Sequence, residues 1–240
     1  MTAPPLELAA ALGLARLDYH VRVTSTMDVA HALAGDGAPA GTLVLASAQA
    51  AGRGRSGKTW VSEPDAGLWC TLIERPSDTG ALDVLALRVG LELAGALDAL
   101  TTAPVSLKWP NDLQVERRKL GGVLIEVRWH GARPDWVAIG VGINRRVPPE
   151  LMDTATVRAD VSRDALLSAV APALRRAAAG FGPLTPYEQA QWHARDAARG
   201  RQVTSPAEGI VTGVTANGGI CIRRDDGVEQ VCQSGSLIFA

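Results

Sequence analysis

Cysteine, lysine and uninterrupted apolar sequence are scarce in this chain of 240 residues. Its three cysteines, Cys70, Cys221 and Cys232, are odd in number and form no CxxC pair, which argues against a disulfide framework and against a zinc site. The apolar stretch from 81 to 100 is broken by Asp83, Arg88, Glu92 and Asp98, so it is no transmembrane span. The opening MTAPPLELAA lacks the basic flank and apolar run of a signal peptide. A cytoplasmic protein with reduced thiols is expected. Nor is either sign of charge in excess: 24 basic and 25 acidic side chains leave a net charge of −1. With 47% hydrophobic residues, this is an ordinary folded composition without bulk attraction to nucleic acid or membrane.

Only three of the 24 cationic residues are lysines, Lys58, Lys108 and Lys119. Where arginine builds the surface, the few ammonium groups are candidates for a chemical task, although codon bias accounts for the same count.

The length fits one large domain, or one large domain with a small module. Leucine spacing over 5–17 predicts a short amphipathic helix. VRVTST then reads as a strand entering a helix at MDVAHALAG, capped by Thr24, Ser25 or Thr26 and stopped by Gly35. TLVLASAQ and LWCTLIE read as apolar strands, and 80–100 as a long helix with its charges on one side. VSLKWPN, KLGGVLIEVRWH and DWVAIGVGIN form an antiparallel meander. Helices are expected at 163–180, capped by Ser162, and at TPYE, where Thr185, Pro186 and Glu188 spell a capping box. After residue 200, short glycine-punctuated strands with turns at Asn217-Gly218 and Asp226-Gly227 suggest a small β-barrel. The fold class is therefore α/β (α+β): a mixed, largely antiparallel sheet packed with helices, plus the small barrel.

The segment Gly52-Arg53-Gly54-Arg55-Ser56-Gly57-Lys58-Thr59-Trp60 matches both the P-loop and the dinucleotide-binding pattern. Both need a helix directly after the glycines, because its N-terminus holds the phosphate. TWVSEPDAGLW, with Pro64 and Gly67, carries no helical stripe, so neither pattern is adopted. What remains is a glycine loop carrying two arginines and a lysine, suited to a ligand with more than one anionic group.

In Lys108-Trp109-Pro110-Asn111-Asp112, the aspartate can hold Mg²⁺ and the lysine can meet a phosphate; an Asx-type turn explains the same residues. In Arg117-Arg118-Lys119-Leu120-Gly121-Gly122, two glycines open an apolar strand where a flat ligand can approach backbone. All three lysines fall in these three segments.

In order, Ser25-Thr26, Q-x-x-GRGRxGxxW at 49–60, KWPNDL at 108–113, KLGG at 119–122 and GVGIN at 140–144 closely resemble the biotin protein ligases. The tail from 200 to 240 is similar to that family's SH3-like C-terminal domain. The resemblance implies a catalytic domain at 1–195 and an SH3-like domain at 196–240. It implies that biotin is activated with MgATP to biotinyl-5′-AMP and passed to a lysine of the biotin carboxyl carrier protein of acetyl-CoA carboxylase or a related carboxylase.

By the same resemblance, Ser25, Thr26 and Gln49 meet the ureido head of biotin, with Gly54 and Gly122 beside it. Arg53 and Lys119 meet its carboxylate or the adenylate, and Arg55 retains the adenylate. Trp60 packs on adenine, Lys108, Asn111 and Asp112 face the phosphates, Asp112 faces the metal, and Asn144 lies on the adenine side. RRVPPELMDT would fold over the nucleotide. Arg53, Arg55, Asp112 and Lys119 form the expected catalytic set. His20, His31, His130 and His193 lie in no motif and read as structural or surface residues.

Three positions depart from the family: Met27 where asparagine is common, Ser56 inside the basic run, and a glycine in KLGG where alanine is frequent. Only about 18 residues precede the first strand, too few for a three-helix DNA reader, so no DNA binding is expected. A homodimer is compatible with the sequence and not specified by it. The rival readings are a lipoate or octanoyl carrier ligase, a P-loop nucleotide protein and an inactive biotin-binding module.

Overall fold

The computed structural model describes residues 5–146 and 154–240. Helix α1 (Pro5–Ala11) is shorter than its leucine spacing predicts, because Gly13 takes a left-handed φ of 68° and turns the chain into strand β1 (Arg16–Val23). Ser25 then caps α2 (Thr26–Gly35) by accepting from the Met27 N–H. Strand β2 (Thr42–Gln49), the short hairpin of β3 (Gly52–Arg53) and β4 (Thr59–Trp60), and β5 (Gly67–Glu74) follow.

Helix α3 (Leu85–Leu97) does not keep its charges on one outer side. Arg88 points inward and is only 4% exposed. Its guanidinium donates to Glu188 Oε1 at 2.5 Å and to the carbonyls of residues 181, 182 and 183, so the buried charge is paired and its donors are engaged.

The sequence reads as one strand through VSLKWPN, but the chain turns at Trp109-Pro110. Strands β6 (Ser106–Lys108) and β7 (Asp112–Val115) form a hairpin that sets Lys108 opposite Asp112. Glu116 and Arg117, both at positive φ, turn β7 into β8 (Arg118–His130), which pairs along its length with β9 (Arg133–Asn144). Helices α4 (Arg163–Ala178) and α5 (Pro186–Arg195) start on their expected caps, with the Thr185–Glu188 capping box formed in both directions.

The main sheet has the order β1-β2-β5-β9-β8-β7-β6, parallel only between β1 and β2. The alternation of side chains along its strands sorts them into two layers. Leu43 and Leu45 of β2, Leu72 of β5, and Ile139, Val141 and Ile143 of β9 enter the large core with α3 and α4. Val44 and Ile73 pack with Ala30 and Ala34 of α2 on the other face. Burial on both faces explains why β2 and β5 are apolar at nearly every position.

The C-terminal strands β10 (Gln202–Ser205), β11 (Gly209–Val214), β12 (Ile220–Arg223), β13 (Glu229–Cys232) and β14 (Ile238–Phe239) form an antiparallel sheet ordered β13-β12-β11-β10-β14. The strands of the expected small barrel do not close into a ring: β14, only two residues long, pairs with β10, and β13 is the opposite edge. This sheet packs on the main body, sharing its core through Val203, Val211, Ile220 and Ile222, and Gly218 O accepts from Trp109 Nε1 at 2.9 Å. No described helix is long and apolar enough to cross a membrane.

Candidate active site

The glycine loop is a hairpin connection. Gly52 pairs with Trp60 and Arg53 with Thr59, and Gly54 N–H bonds to Lys58 O at 2.8 Å. Gly52 is required because a Cβ there would fall 2.3 Å from Trp60 O. Ser56 and Gly57 take left-handed φ values of 55° and 72°, and the chain then enters a strand. With no helix after the glycines, the P-loop and dinucleotide geometries are absent.

Between this loop, α2 and the sheet lies a cavity of about 200 Å³. The composition of the α2-side face explains it. Strand β9 presents Gly140 and Gly142 there and β8 presents Gly122, so three positions that would otherwise fill the space have no side chain. The Trp60 indole lies over Gly142, and the Met27 methyl occupies the space beside Gly140.

The floor is uncharged and hydrogen-bonded. Gln49 Oε1 accepts from Thr26 N–H at 2.8 Å and from Thr26 Oγ1 at 3.1 Å, while Gln49 Nε2 donates to Ser62 Oγ at 2.7 Å. Thr71, fully buried at 0% exposure in an apolar strand, donates its hydroxyl to Thr26 Oγ1 at 2.9 Å. Ser25 accepts from Met27 N–H, and its own proton has no acceptor among the described residues. The floor is thus rigid, polar and able to donate to a ligand.

The rim is cationic. Lys119 Nζ lies 2.7 Å from Asp112 Oδ1 and 5.0 Å from the centre of the Trp60 ring. Arg55 donates to Asn111 Oδ1 and to Gly235 O, both at 3.2 Å, and Asn111 is itself held by donating to Val123 O at 2.7 Å. Burial lowers the Arg55 pKa, with Asp112 opposing. Arg53 lines the same cavity, but its guanidinium donates to Asp28 Oδ1 at 2.6 Å and Glu126 Oε1 at 2.5 Å.

Of the residues expected at the site, Ser25, Thr26, Gln49, Arg53, Gly54, Arg55, Trp60, Asn111, Asp112, Lys119 and Gly122 line this cavity. Lys108 and Asn144 do not. Lys108 points to the C-terminal sheet, with Nζ 5.1 Å from the Phe239 ring centre. Its pKa is lowered first by burial and further by Lys119, Arg201 and Lys58, against the pull of Asp112. Asn144 lies behind the rim, donating to Lys119 O at 3.2 Å. Of RRVPPELMDT, residues 147–153 lie outside the described residues.

Sequence reasoning missed Thr71, Gly140, Gly142 and Ser236, which also line the cavity. A threonine inside an apolar strand and two glycines spaced by two were legible signals for the first three; Ser236 had none. Cys70 also borders the cavity, but its side chain alternates to the opposite face with Leu68 and Leu72 in the large core, where burial pushes the thiol up to about 12. The described residues contain no cluster of three or more His, Cys, Asp or Glu, and Asp112 is the single carboxylate among those lining the cavity.

A polar floor that can grip an uncharged head, a cationic rim and a single carboxylate define the class: an α/β protein whose site can take a small acid beside a second anionic ligand. Residues 19–144 match the Biotin/lipoate A/B protein ligase family, and the chain belongs to that family. It is 32% identical over 223 residues to the biotin--[acetyl-CoA-carboxylase] ligase of Paracoccus denitrificans, covering 82% of this chain and 89% of that one. It is 37% identical over 146 residues to the bifunctional ligase/repressor BirA of Bacillus subtilis, a match covering 58% of this chain and 45% of the relative, less than half its length. The biotin protein ligase from Aquifex aeolicus, solved in complex with biotin and ATP, superimposes with a TM-score of 0.74 at 26% identity. That alignment covers 95% of this chain and 99% of that one.

Proposed function

We propose that this chain is a biotin protein ligase. It activates biotin with MgATP to biotinyl-5′-AMP and transfers the acyl group to a lysine of a carboxylase carrier domain. The observation that carries this reading is the union in one cavity of the floor of Ser25, Thr26, Gln49 and Thr71 with the rim of Arg55 and Lys119 around Asp112. The ureido head of biotin offers donors and an acceptor to this polar floor; a lipoyl head, a dithiolane ring, would give the free Ser25 proton no comparable acceptor.

In the first step a biotin carboxylate oxygen attacks the α-phosphorus of ATP, the bond to the β-phosphate oxygen breaks, and pyrophosphate leaves. Two anions must meet, so the work is charge neutralisation and positioning by Arg55 and Lys119, with Asn111 fixing Arg55. Trp60 supports the base and Gly54 and Gly122 let backbone approach the acid, while Lys108 and Asn144 act from the edges, toward the phosphates and behind Lys119.

The donor set fits magnesium, which takes one or two carboxylates and fills its shell with phosphate oxygens and water; Asp112 is the residue that would hold it. When bound, the ion neutralises phosphate charge. In the second step the neutral carrier amine attacks the acyl carbon, the bond to the AMP oxygen breaks, AMP leaves, and the amine proton is lost, with Asp112 the candidate acceptor. A cytoplasmic setting and a carrier domain as partner accompany this reading.

Incubation with biotin, MgATP and a carrier domain is expected to release pyrophosphate and add one biotin mass to the carrier. Absence of both removes the proposal, and equal competition by lipoate favours the rival ligase.

A further inference from the structure

Arg53, the loop cation expected to meet an anion, is already taken by two carboxylates, and the pairing continues inward. Glu126 Oε1 accepts from Arg53 Nη2, and Oε2 of the same carboxylate bonds to His31 Nε2 at 3.0 Å. His31 Nδ1 in turn accepts from Trp136 Nε1 at 2.9 Å. An indole nitrogen can only donate, so Nδ1 must carry the lone pair, and the remaining ring proton sits on Nε2, aimed at Glu126. The chain of hydrogen bonds therefore has one direction: Trp136 of β9 to His31 of α2 to Glu126 of β8, where the Arg53 guanidinium meets the carboxylate from the loop.

The elements that deliver these groups also build the cavity. Glu126 continues the face of β8 that brings Gly122 and Leu124 to it. Asp28 and His31, three residues apart, share a face of α2 just beyond Ser25 and Thr26 of the floor. The guanidinium between two carboxylates leaves that cluster net negative, a poor place for another anion. Arg55, by contrast, donates among the described residues to the neutral partners Asn111 Oδ1 and Gly235 O, and its charge stays available.

We propose that Arg53 is a positioning residue that latches the glycine loop to α2 and β8 through Asp28 and Glu126, with His31 and Trp136 orienting Glu126, while Arg55 and Lys119 carry the anionic substrate. This rests on the ligase reading of the cavity. Three glycines and a left-handed serine make residues 52–57 costly to order, and the latch meets that cost before the substrate arrives.

The test is limited trypsin digestion of the full chain without ligands, since Arg53, Arg55 and Lys58 are cleavage points within the loop. Glu126→Gln and Asp28→Asn are expected to speed cleavage there by about fivefold, and Trp136→Phe by about twofold, with sites elsewhere unchanged. Trp136→Phe keeps the ring and removes only the donor, so it carries the test should the charge variants fail to fold. In the biotinylation reaction the same variants are expected to raise the biotin KM while kcat stays within about twofold. Wild-type digestion rates in all three, or a fall in kcat at unchanged KM, overturn the latch. Digestion needs no substrate, so the latch can fail while biotin-dependent pyrophosphate release persists, and it can hold in a chain that releases none.

Discussion

Gly142 leaves no room between its Cα and the Trp60 indole: a Cβ there would fall 2.6 Å from Trp60 Cε2 and 2.7 Å from Nε1. The missing side chain lets the ring lie on the sheet, where its face supports Lys119 5.0 Å away. Gly142→Ala is therefore expected to push the indole off the strand, costing about 1–3 kcal/mol of stability by overpacking and most of the adenylate-forming activity. Urea unfolding and pyrophosphate release read the two effects separately. A fully stable, fully active variant would mean that the ring is free to move.

Lys119 and Asp112 make the next prediction because each holds the other, 2.7 Å apart, at the rim. Removing Lys119 leaves Asp112 without its partner, but the Asp112 side chain is 22% exposed and water reaches it, so no fully buried charge is orphaned. Lys119→Ala should lower adenylate formation by about 100-fold or more, the scale for losing one preorganised donor to developing charge. The melting temperature should stay near wild type. Rapid-quench measurement of biotinyl-AMP checks it; a KM increase at unchanged kcat would place Lys119 in binding alone.

Much of this arrangement was legible before any coordinates. The apolar runs of β2 and β5, the Ser25, Ser162 and Thr185 caps and the missing helix after Gly57 all follow from local rules, and local rules set those elements. The turn at Trp109-Pro110 was not legible as a hairpin, because VSLKWPN carries a single strand's pattern and its register depends on pairing with residues further on. Arg88 was misread because helix spacing alone cannot show that Glu188, 100 residues later, supplies its partner. The charge state of the loop was hidden for the same reason: Asp28 and Glu126 come from distant segments that only the sheet brings to Arg53.

Arg55 closes the cavity by joining Asn111 to the Gly235 carbonyl in the connection between β13 and β14. Arg55→Gly removes both bonds and the nearby cation, so the activated acyl adenylate is expected to escape before transfer. Mass spectrometry of a mixture of carrier and bystander proteins should find biotin on bystander lysines. Labelling still confined to the carrier would show that retention does not depend on this side chain.

Glu188 links stability to pH. The hydrogen bond from Arg88, the largest effect, holds its carboxyl below the usual 4.5 against the opposing effect of burial, with the Thr185 backbone and hydroxyl adding to the lowering. A carboxyl depressed by folding stabilises the fold above its unfolded pKa, and that stability is lost as pH falls through the depressed value. Glu188→Gln leaves the buried Arg88 charge unpaired and should cost about 3–5 kcal/mol at neutral pH. The gap to wild type should narrow as acid protonates Glu188. Urea titrations at neutral and acidic pH check this; a gap independent of pH would assign the cost to packing.

Thr71 offers the sharpest discrimination between a biotin site and a lipoate site. Its hydroxyl is wholly buried and donates to Thr26 Oγ1, which passes the bond to Gln49, so one proton orders the polar floor. Thr71→Val keeps the side-chain shape while removing that donor, leaving Thr26 Oγ1 short of a partner; the expected stability loss is only about 1 kcal/mol. A ligand whose head hydrogen-bonds to the floor meets a disordered surface and should bind about tenfold more weakly, the effect of about 1.4 kcal/mol. A ligand with an apolar head has no bond to lose and should bind at least as well as before. Calorimetric titration of wild type and Thr71→Val with biotin and with lipoate therefore yields a ratio of ratios. A selective loss for biotin supports a floor built for a polar head, whereas equal loss for both acids would mean that the threonine only packs.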